Sequence, residues 1–434
     1  MQVFYYLPAF IFLLFSCQKE SSGTGTDENT LDPAQLYPVV MVHGMLASGD
    51  TYANTAMHLI SNGYPPNFLY TFDWNSLGGA SSQTTSRLQS LIDSVLIKTG
   101  KQKIILMGHS AGGGVGYSFC ADSTRAKKVH KYIHIGSNPQ SKPAGPKGEI
   151  PTMNIYSKGD KVVAGSDIPG AENISFDALD HYEVATSSLS FEKIFPFITE
   201  SIKAPKTELS SMPSPKIEGK VLSLGENSPA VEVTVKLYYV DAATGMRKGN
   251  AVYTFSPDEK GRFGPLTVDP KEFLEFEVSS TAPDFRRVYY YFEPVTHDNP
   301  LIYLRTFPPA GSIAGALLST LPKSDVQSVI AVFSANKAII HQRDDFMVQD
   351  KQLANASLCS PANSTIAMFL YDDGNKQSSG NGHPVFSFLP FLKGADLFFP
   401  TEPVLSTDLL LNGKKLTVRN YKSDSEGVVI AVFR

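Results

Sequence analysis

Residues 103–116 carry the strongest indication of chemistry in this sequence. At their centre, Gly108-His109-Ser110-Ala111-Gly112 fits the G-x-S-x-G pattern, in which a serine nucleophile sits on a sharp turn. An apolar run at 104–107 precedes the turn as a buried strand would, and a glycine-rich apolar segment follows it as a buried helix would. The start of such a helix offers free N–H groups to a developing oxyanion. The pattern predicts that Ser110 is a nucleophile; the alternatives are an ordinary glycine turn or a scaffold that has lost its chemistry.

A nucleophilic serine needs a base that takes its proton and an acid that orients the base. Asp160 follows a predicted strand at 152–156, and His181 follows another at 172–176. In parallel sheets such loops lie together at the carboxyl edge, and the chain order serine, acid, histidine is the one that this motif uses. We therefore predict a catalytic triad of Ser110, Asp160 and His181.

Other histidines and acids in the same region are weaker candidates. Two histidines lie inside a predicted strand, where packing is the simpler role, and three further aspartates compete with Asp160 for the role of the acid. Two of these aspartates share the loop of His181 and are poorly placed to orient its ring from behind. The histidines are His130 and His134, and the aspartates are Asp167 and the two in the loop, Asp177 and Asp180.

The elements that would position these residues alternate between strand and helix. Apolar runs predict further strands at 39–42, 68–72 and 129–135, and helical periodicity predicts helices at 51–61, 82–99 and 191–203. This alternation predicts an α/β fold with a parallel, doubly wound sheet over residues 36–204. The connection at 136–150 is short and polar, which predicts no large lid, and hence a site that is open or covered from elsewhere.

The period of the pattern changes after a Ser/Pro-rich linker at 205–215. Apolar and polar residues alternate from Val231 to Tyr239, which is typical of a half-buried strand. We expect a β-sandwich at 216–305 and a second all-β domain at 306–434. The apolar run Phe386–Leu392 is interpreted as core of that domain, with a cover over the active site or a contact with lipid as the alternatives.

The N-terminus is interpreted as a targeting segment. Val3–Phe15 is almost wholly apolar but too short for an ordinary membrane span. Leu14–Cys17 resembles the lipobox of a bacterial lipoprotein signal, which implies cleavage of a signal peptide at 1–17 and a lipid on Cys17. Residues 18–35 would then form a flexible tether to the outer membrane or cell surface of a bacterium. The alternative is a plain secretory signal with an incidental cysteine.

Composition narrows the function classes for this chain of 434 residues, which is long enough for two or three domains. The charged fraction is 18%, the net charge is −4, and no basic block or stripe appears. These features argue against a nucleic-acid partner. No cluster of histidines and carboxylates has the spacing of metal ligands, so we expect neither a metal nor a cofactor.

Residues 37 to about 204 resemble compact α/β-hydrolases of the small bacterial secreted lipase type. The motifs that match are His43-Gly44-Met45, Gly108–Gly112, Tyr156-Ser157-x-x-Asp160-x-Val162 and His181. The resemblance implies an oxyanion hole formed by the backbone N–H groups of Met45 and Ala111. It also implies a reduced sheet, because the usual first two strands are missing. The downstream part is similar to an archaeal lipase/carboxylesterase subfamily with a C-terminal β domain, in Ala251–Phe255 and Tyr289–Pro294.

The expected function is that of a serine ester hydrolase, a lipase or carboxylesterase, which acts on acyl-ester lipids and is held at a membrane through Cys17. An amidase, an acyltransferase or a polyester depolymerase with the same triad is the alternative among enzymes. From another class, the alternative is a surface-anchored glycan- or lipid-binding lipoprotein whose hydrolase domain is inactive. The sequence leaves the oligomeric state open.

Overall fold

The computed structural model describes Met1 and residues 31–200, 204–403 and 405–434. The predicted signal peptide beyond Met1, Cys17 and most of the predicted tether lie outside the described residues. Within the described ranges, no helix combines the length and the apolar character that a membrane crossing requires.

The first part of the chain forms a six-stranded parallel sheet. Its strands are β1 (Val39–Val42), β2 (Leu69–Phe72), β3 (Ile104–His109), β4 (Val129–Ile135), β5 (Thr152–Ser157) and β6 (Glu172–Phe176). The strand order across the sheet is β2-β1-β3-β4-β5-β6. Both faces are covered: Val39 and Met41 of β1 pack into one core, and Val40 and Val42 into the other. The prediction of a parallel, doubly wound sheet is confirmed.

Helices cover the two faces of this sheet. They are α1 (Ala53–Ser61), α2 (Ser82–Thr99), α3 (Ala111–Cys120), α4 (Ser123–Ala126), α5 (Glu183–Thr186) and α6 (Ser188–Thr199), with 3-10 turns at Gly49–Tyr52 and Pro66–Phe68. Helices α1 and α6 contribute to one core, and α2 and α3 to the other. The last helix begins earlier than the expected residue 191, because the Ser187 side chain caps its first turn.

The second part of the chain is built mainly from three β-sheets. A three-stranded sheet has the order β10-β7-β13, an eight-stranded sheet the order β18-β17-β14-β21-β12-β11-β8-β9, and a four-stranded sheet the order β16-β15-β19-β20. The strands are β7 (Lys216–Ser223), β8 (Thr234–Val240), β9 (Tyr253–Phe255), β10 (Arg262–Thr267), β11 (Phe273–Ser279), β12 (Val288–Phe292), β13 (Asn299–Thr306), β14 (Ile330–Ser334), β15 (Phe346–Val348), β16 (Lys351–Gln352), β17 (Ala367–Tyr371), β18 (Leu392–Asp396), β19 (Ser406–Leu411), β20 (Lys414–Arg419) and β21 (Val428–Phe433). One helix, α7 (Ile313–Leu318), and a 3-10 turn at Pro384–Phe386 complete the described elements of this part.

The eight-stranded sheet crosses the domain boundary that the sequence suggested near residue 305. Strand β12 pairs in parallel with β21, so that Tyr290 lies beside Ile430. Residues of β12 alternate between two cores: Tyr290 packs towards the three-stranded sheet, and Tyr289 and Tyr291 pack towards the four-stranded sheet. The segments 216–305 and 306–434 therefore share one central sheet instead of forming two separate domains.

Candidate active site

Ser110 stands at the sharp turn between β3 and α3. Its backbone has φ 53° and ψ −124°, a strained conformation for a residue with a side chain. Glycine is required on both sides of this turn. A Cβ on Gly108 would lie 2.5 Å from the carbonyl oxygen of Gly112, and a Cβ on Gly112 would lie 2.5 Å from that of His43. Close packing against β1 and within the turn therefore holds the serine at the carboxyl edge of the sheet.

The structure brings the three predicted triad residues into one hydrogen-bonded chain. The Nε2 atom of His181 lies 2.9 Å from Ser110 Oγ, and its Nδ1 atom lies 2.7 Å from Asp160 Oδ2. The His181 side chain is 2% exposed. This is the arrangement in which a serine hydroxyl can pass its proton to an imidazole that a carboxylate orients.

Asp160 is held as a carboxylate by the loop that carries it. Its Oδ1 atom accepts hydrogen bonds from the N–H groups of Val162 and Val163 at 2.8 and 3.0 Å, and its Oδ2 atom faces His181. Burial by itself would raise the pKa of Asp160, but the hydrogen bond with His181, together with the two backbone hydrogen bonds, outweighs it and holds the pKa below its usual range. The acid is therefore charged where it meets the imidazole.

The loop after β1 lies against the serine turn. A Cβ on Gly44 would lie 2.9 Å from the Cβ of Ser110, and Met45 is the next residue along the chain. The buried ring of His43 fixes this loop, because its Nδ1 atom lies 2.7 Å from the Gly44 carbonyl oxygen and its Nε2 atom accepts from the N–H of Trp74. On the other side, Ala111 is the first residue of α3 and is exposed.

The rival residues of the sequence analysis are engaged elsewhere. The carboxylate of Asp167 accepts from a tyrosine hydroxyl, that of Asp177 pairs with a lysine, and that of Asp180 points towards the second part of the chain. The His134 ring contacts the carbonyl oxygen of Asn138. The His130 ring stacks on that of Tyr37.

His109, the variable residue of the nucleophile motif, has a role that the sequence analysis missed. Its buried Nε2 atom lies 2.9 Å from the backbone carbonyl oxygen of His181. Burial lowers the pKa of His109 to about 3, so its ring is neutral and donates this hydrogen bond. The turn that carries Ser110 and the loop that carries His181 are therefore joined by this hydrogen bond. The position of His109 next to Ser110 in the motif is the sequence feature that could have indicated this role.

The apolar run Phe386–Leu392 serves two of the roles considered for it. Phe386 is fully buried in the core of the second part. The ring of Phe391 stacks on that of His181, with centroids 5.7 Å apart. Residues 136–151, where a lid would follow β4, contain no helix. A segment from the second part of the chain therefore covers the ring of His181.

An apolar cavity of about 280 Å³ lies between the two parts of the chain. Every residue that lines it is apolar, including Leu46 and Leu77 from the first part, several residues of α7, and Phe388, Leu389 and Leu392. Leu46 follows Met45 and Leu392 follows Phe391 in the sequence. Leu46 thus lies two residues after Gly44, which packs against Ser110, and Leu392 lies one residue after Phe391, which stacks on His181.

One group of carboxylates among the described residues could hold a cation. Oxygen atoms of Asp372, Asp373 and Asp396 lie within 4.8 Å of one another in the second part of the chain. Asp372 and Asp396 already accept hydrogen bonds from backbone N–H groups of the same loop. These hydrogen bonds account for the cluster as part of a turn.

Two stretches of the chain match known protein families. Residues 37–160 match the family described as alpha/beta hydrolase fold. The first part of the chain has the α/β-hydrolase fold. Residues 214–309 match the family described as Lipase C-terminal domain. Together these matches support a hydrolase with a β-rich C-terminal part, which we call the C-terminal part from here on (residues 214–434).

Several solved structures are similar to this chain. Lipase BlEst2 of Bacillus licheniformis in mature form is 15% identical, with a TM-score of 0.30 over 39% of this chain and 94% of its own. Its propeptide form is 14% identical, with a TM-score of 0.32 over 68% of this chain and 88% of its own. A protein of Thermoplasma acidophilum described as a predicted CIB-like hydrolase is 14% identical, with a TM-score of 0.30 over 41% of this chain and 89% of its own.

Proposed function

We propose that this protein is a serine ester hydrolase, a lipase or carboxylesterase that cleaves acyl esters through an acyl-enzyme intermediate. The hydrogen-bonded chain from Ser110 through His181 to Asp160 is the observation that carries the proposal. Ser110 Oγ attacks the ester carbonyl while His181 Nε2 takes its proton. The same imidazole then protonates the leaving alcohol, and water attacks the acyl-enzyme with His181 as the base.

Two further groups stabilise the charges that develop during this reaction. Asp160 keeps the Nδ1 proton of His181 directed towards itself and stabilises the imidazolium that forms. Gly44 packs against Ser110 and Ala111 follows it in the chain, and the N–H groups of Met45 and Ala111 are proposed to bind the oxyanion. Loss of one such donor costs about 3 kcal/mol in the transition state.

The apolar cavity favours an ester of a fatty acid over a small polar ester. Its wall lacks charged side chains, and it starts at Leu46, next to the proposed oxyanion donor. An acyl chain bound there would bury apolar surface at about 0.8 kcal/mol per methylene group. We therefore propose that the acyl part of the substrate enters between α7 and the segment Phe388–Leu392.

Active-site labelling tests the proposal. A fluorophosphonate should label the wild type, and Ser110→Ala and His181→Ala should both abolish labelling and turnover of p-nitrophenyl esters. Ester turnover that survives Ser110→Ala would refute the proposed nucleophile. A panel of esters, amides and polyester films then separates the ester hydrolase from an amidase or depolymerase, and added alcohol acceptors reveal an acyltransferase. A folded wild type that takes no label but binds glycan or lipid would favour the binding-protein alternative.

We also propose that a lipid on Cys17 holds the enzyme at a bacterial outer membrane or cell surface. The sequence Leu14–Cys17 is the basis of this proposal. Cys17→Ser should move the protein from the membrane fraction to the soluble fraction of a bacterial host. Unchanged partition between these fractions would contradict it.

A further inference from the structure

We infer that the C-terminal part contributes to the active site. Asn227 positions residues 43–48, the loop that carries the proposed oxyanion donor Met45 and is called the oxyanion loop below, and Phe391 positions His181. The inference rests on the proposed function. Both residues come from outside the α/β-hydrolase fold, and each contacts one of the two loops that the reaction depends on.

Asn227 lies in the turn between β7 and β8 and reaches into the loop at 43–48. Its Nδ2 atom donates to the carbonyl oxygens of Ala47 and Trp74 at 2.9 and 3.0 Å. The same atom lies 3.3 Å from Nε2 of His43. Its Oδ1 atom accepts from the hydroxyl of Ser48 at 2.5 Å. One buried side chain therefore ties together the segments on both sides of Met45.

The backbone of Asn227 is itself arranged for this contact. It has a φ of 58°, in the left-handed region that asparagine tolerates better than most residues, and the residue is 3% exposed. Removal of the Asn227 amide would leave the carbonyl oxygens of Ala47 and Trp74 without this hydrogen-bond donor. The loop that carries the Met45 N–H would then be free to shift.

The loop of His181 is held by the C-terminal part from a second direction. The Oδ2 atom of Asp180 accepts from the N–H of Ala338 at 3.1 Å and from Nη1 of Arg343 at 2.8 Å. Thr186 donates its hydroxyl proton to the carbonyl oxygen of Asn336. The residue before the histidine and the helix after it are therefore both docked on residues 336–343.

Phe391 completes this arrangement by covering the imidazole itself. Its ring is nearly parallel to that of His181, at an interplanar angle of 18°. Three backbone hydrogen bonds hold it in place: its N–H donates to Asn363, and its carbonyl oxygen accepts from Ile366 and Ala367. Its φ of 68° is strained for an aromatic residue, which indicates that the surrounding contacts determine the position of the ring.

The buried lysine next to this segment reinforces its shape. Lys393 is 4% exposed, and its ammonium group donates to the carbonyl oxygens of Ser387 and Leu389 at 3.1 and 3.0 Å. The turn that precedes Phe391 is thus tied to β18. The position of Phe391 relative to His181 is therefore set by the sheet of the C-terminal part.

The test uses the full chain and a short substrate, p-nitrophenyl acetate, which does not depend on the apolar cavity. Asn227→Ala and Phe391→Ala should each lower kcat at least 10-fold and leave KM within about 2-fold, because they misplace groups that act in the transition state. Phe391→Leu, which keeps apolar bulk beside the ring, should recover most of kcat. Two matched controls should keep wild-type kcat: Ser387→Ala on the same segment, where the side chain is exposed, and Tyr303→Phe, which removes an interface hydroxyl bonded to Thr71.

Thermal unfolding of each variant separates positioning from folding. The inference requires that Asn227→Ala and Phe391→Ala each lose kcat in a temperature range where the variant is folded. It is wrong if either folded variant has wild-type kcat, or if the controls lose as much as they do. Ser110→Ala separates the proposed function from this inference. Activity in that variant refutes the proposed function. An inactive Ser110→Ala beside fully active Asn227→Ala and Phe391→Ala refutes only this inference.

Discussion

Filling the apolar cavity should change the acyl-chain preference of the proposed ester hydrolase. Ala314 on α7 is buried and lines the cavity, whereas Ala316 on the same helix is exposed. Ala314→Phe places a ring inside the space, and Ala316→Phe places the same ring in solvent. The two variants therefore differ in the direction of one side chain and not in composition.

The size of the effect follows from the volume and the chemistry of the cavity. A methylene group is close in size to a water molecule, which takes about 30 Å³ in the liquid, so the cavity of about 280 Å³ has room for roughly nine methylene groups. Octanoate has four more methylene groups than butyrate. Their full burial is worth about 3 kcal/mol, an upper limit of about 200-fold in kcat/KM.

The assay compares kcat/KM for p-nitrophenyl acetate, butyrate and octanoate. Ala314→Phe should lower the octanoate-to-butyrate ratio at least 10-fold and leave acetate within about 2-fold of the wild type. Ala316→Phe should leave all three values unchanged. The reasoning is refuted if Ala314→Phe keeps the wild-type ratio, if all three esters fall equally, or if Ala316→Phe changes the ratio as much.

Three other outcomes follow from the structure. Asp160→Asn should lower kcat by about 10⁴-fold without loss of the fold, since the asparagine can hold His181 in the wrong tautomer. Single-turnover rates would measure the loss of activity and circular dichroism the intact fold; a kcat within 10-fold of the wild type would contradict the assignment of Asp160 as the acid. Gly112→Ala should destabilise the protein by more than about 2 kcal/mol in urea unfolding, because the new Cβ meets the carbonyls of β1; unchanged stability would show that the turn can relax. Burial opposes the charge of Asp73, but the ammonium group of Lys220 at 2.5 Å holds its pKa below the usual range. The stability from this carboxylate is therefore present above the unfolded pKa of about 3.9 and is lost as the pH falls through the lower folded value; Asp73→Asn should flatten the fall in melting temperature between pH 5 and pH 3, and an equally steep fall would contradict this.

The fold of the first part was largely predictable because its signals are local. Continuous apolar runs indicate strands that are buried on both faces, and helical periodicity between them requires crossovers, which together indicate a parallel sheet. Helix α2 was predicted at the residues where it occurs, because Ser81 caps its start and Gly100, with a φ of 67°, ends it. Residue 191 was a poor estimate for the start of α6, since the cap lies at Ser187.

The organisation of the C-terminal part was not predictable in the same way. The alternation from Val231 to Tyr239 shows that a strand has two different faces, but it does not show which distant strand lies beside it. The pairing of β12 with β21 joins residues about 140 positions apart, and side-chain packing across the assembled sheet selects it.

The sequence by itself determined which residues were proposed as catalytic and their order along the chain. Local pattern and chain order predict a turn with Ser110 between a strand and a helix. They also place Asp160 and His181 in the loops after later strands. Only the tertiary structure decided what holds these residues in place. Asn227 and Phe391 carry no motif, and their contacts with the oxyanion loop and His181 arise because the C-terminal part packs its turns against the carboxyl edge of the sheet.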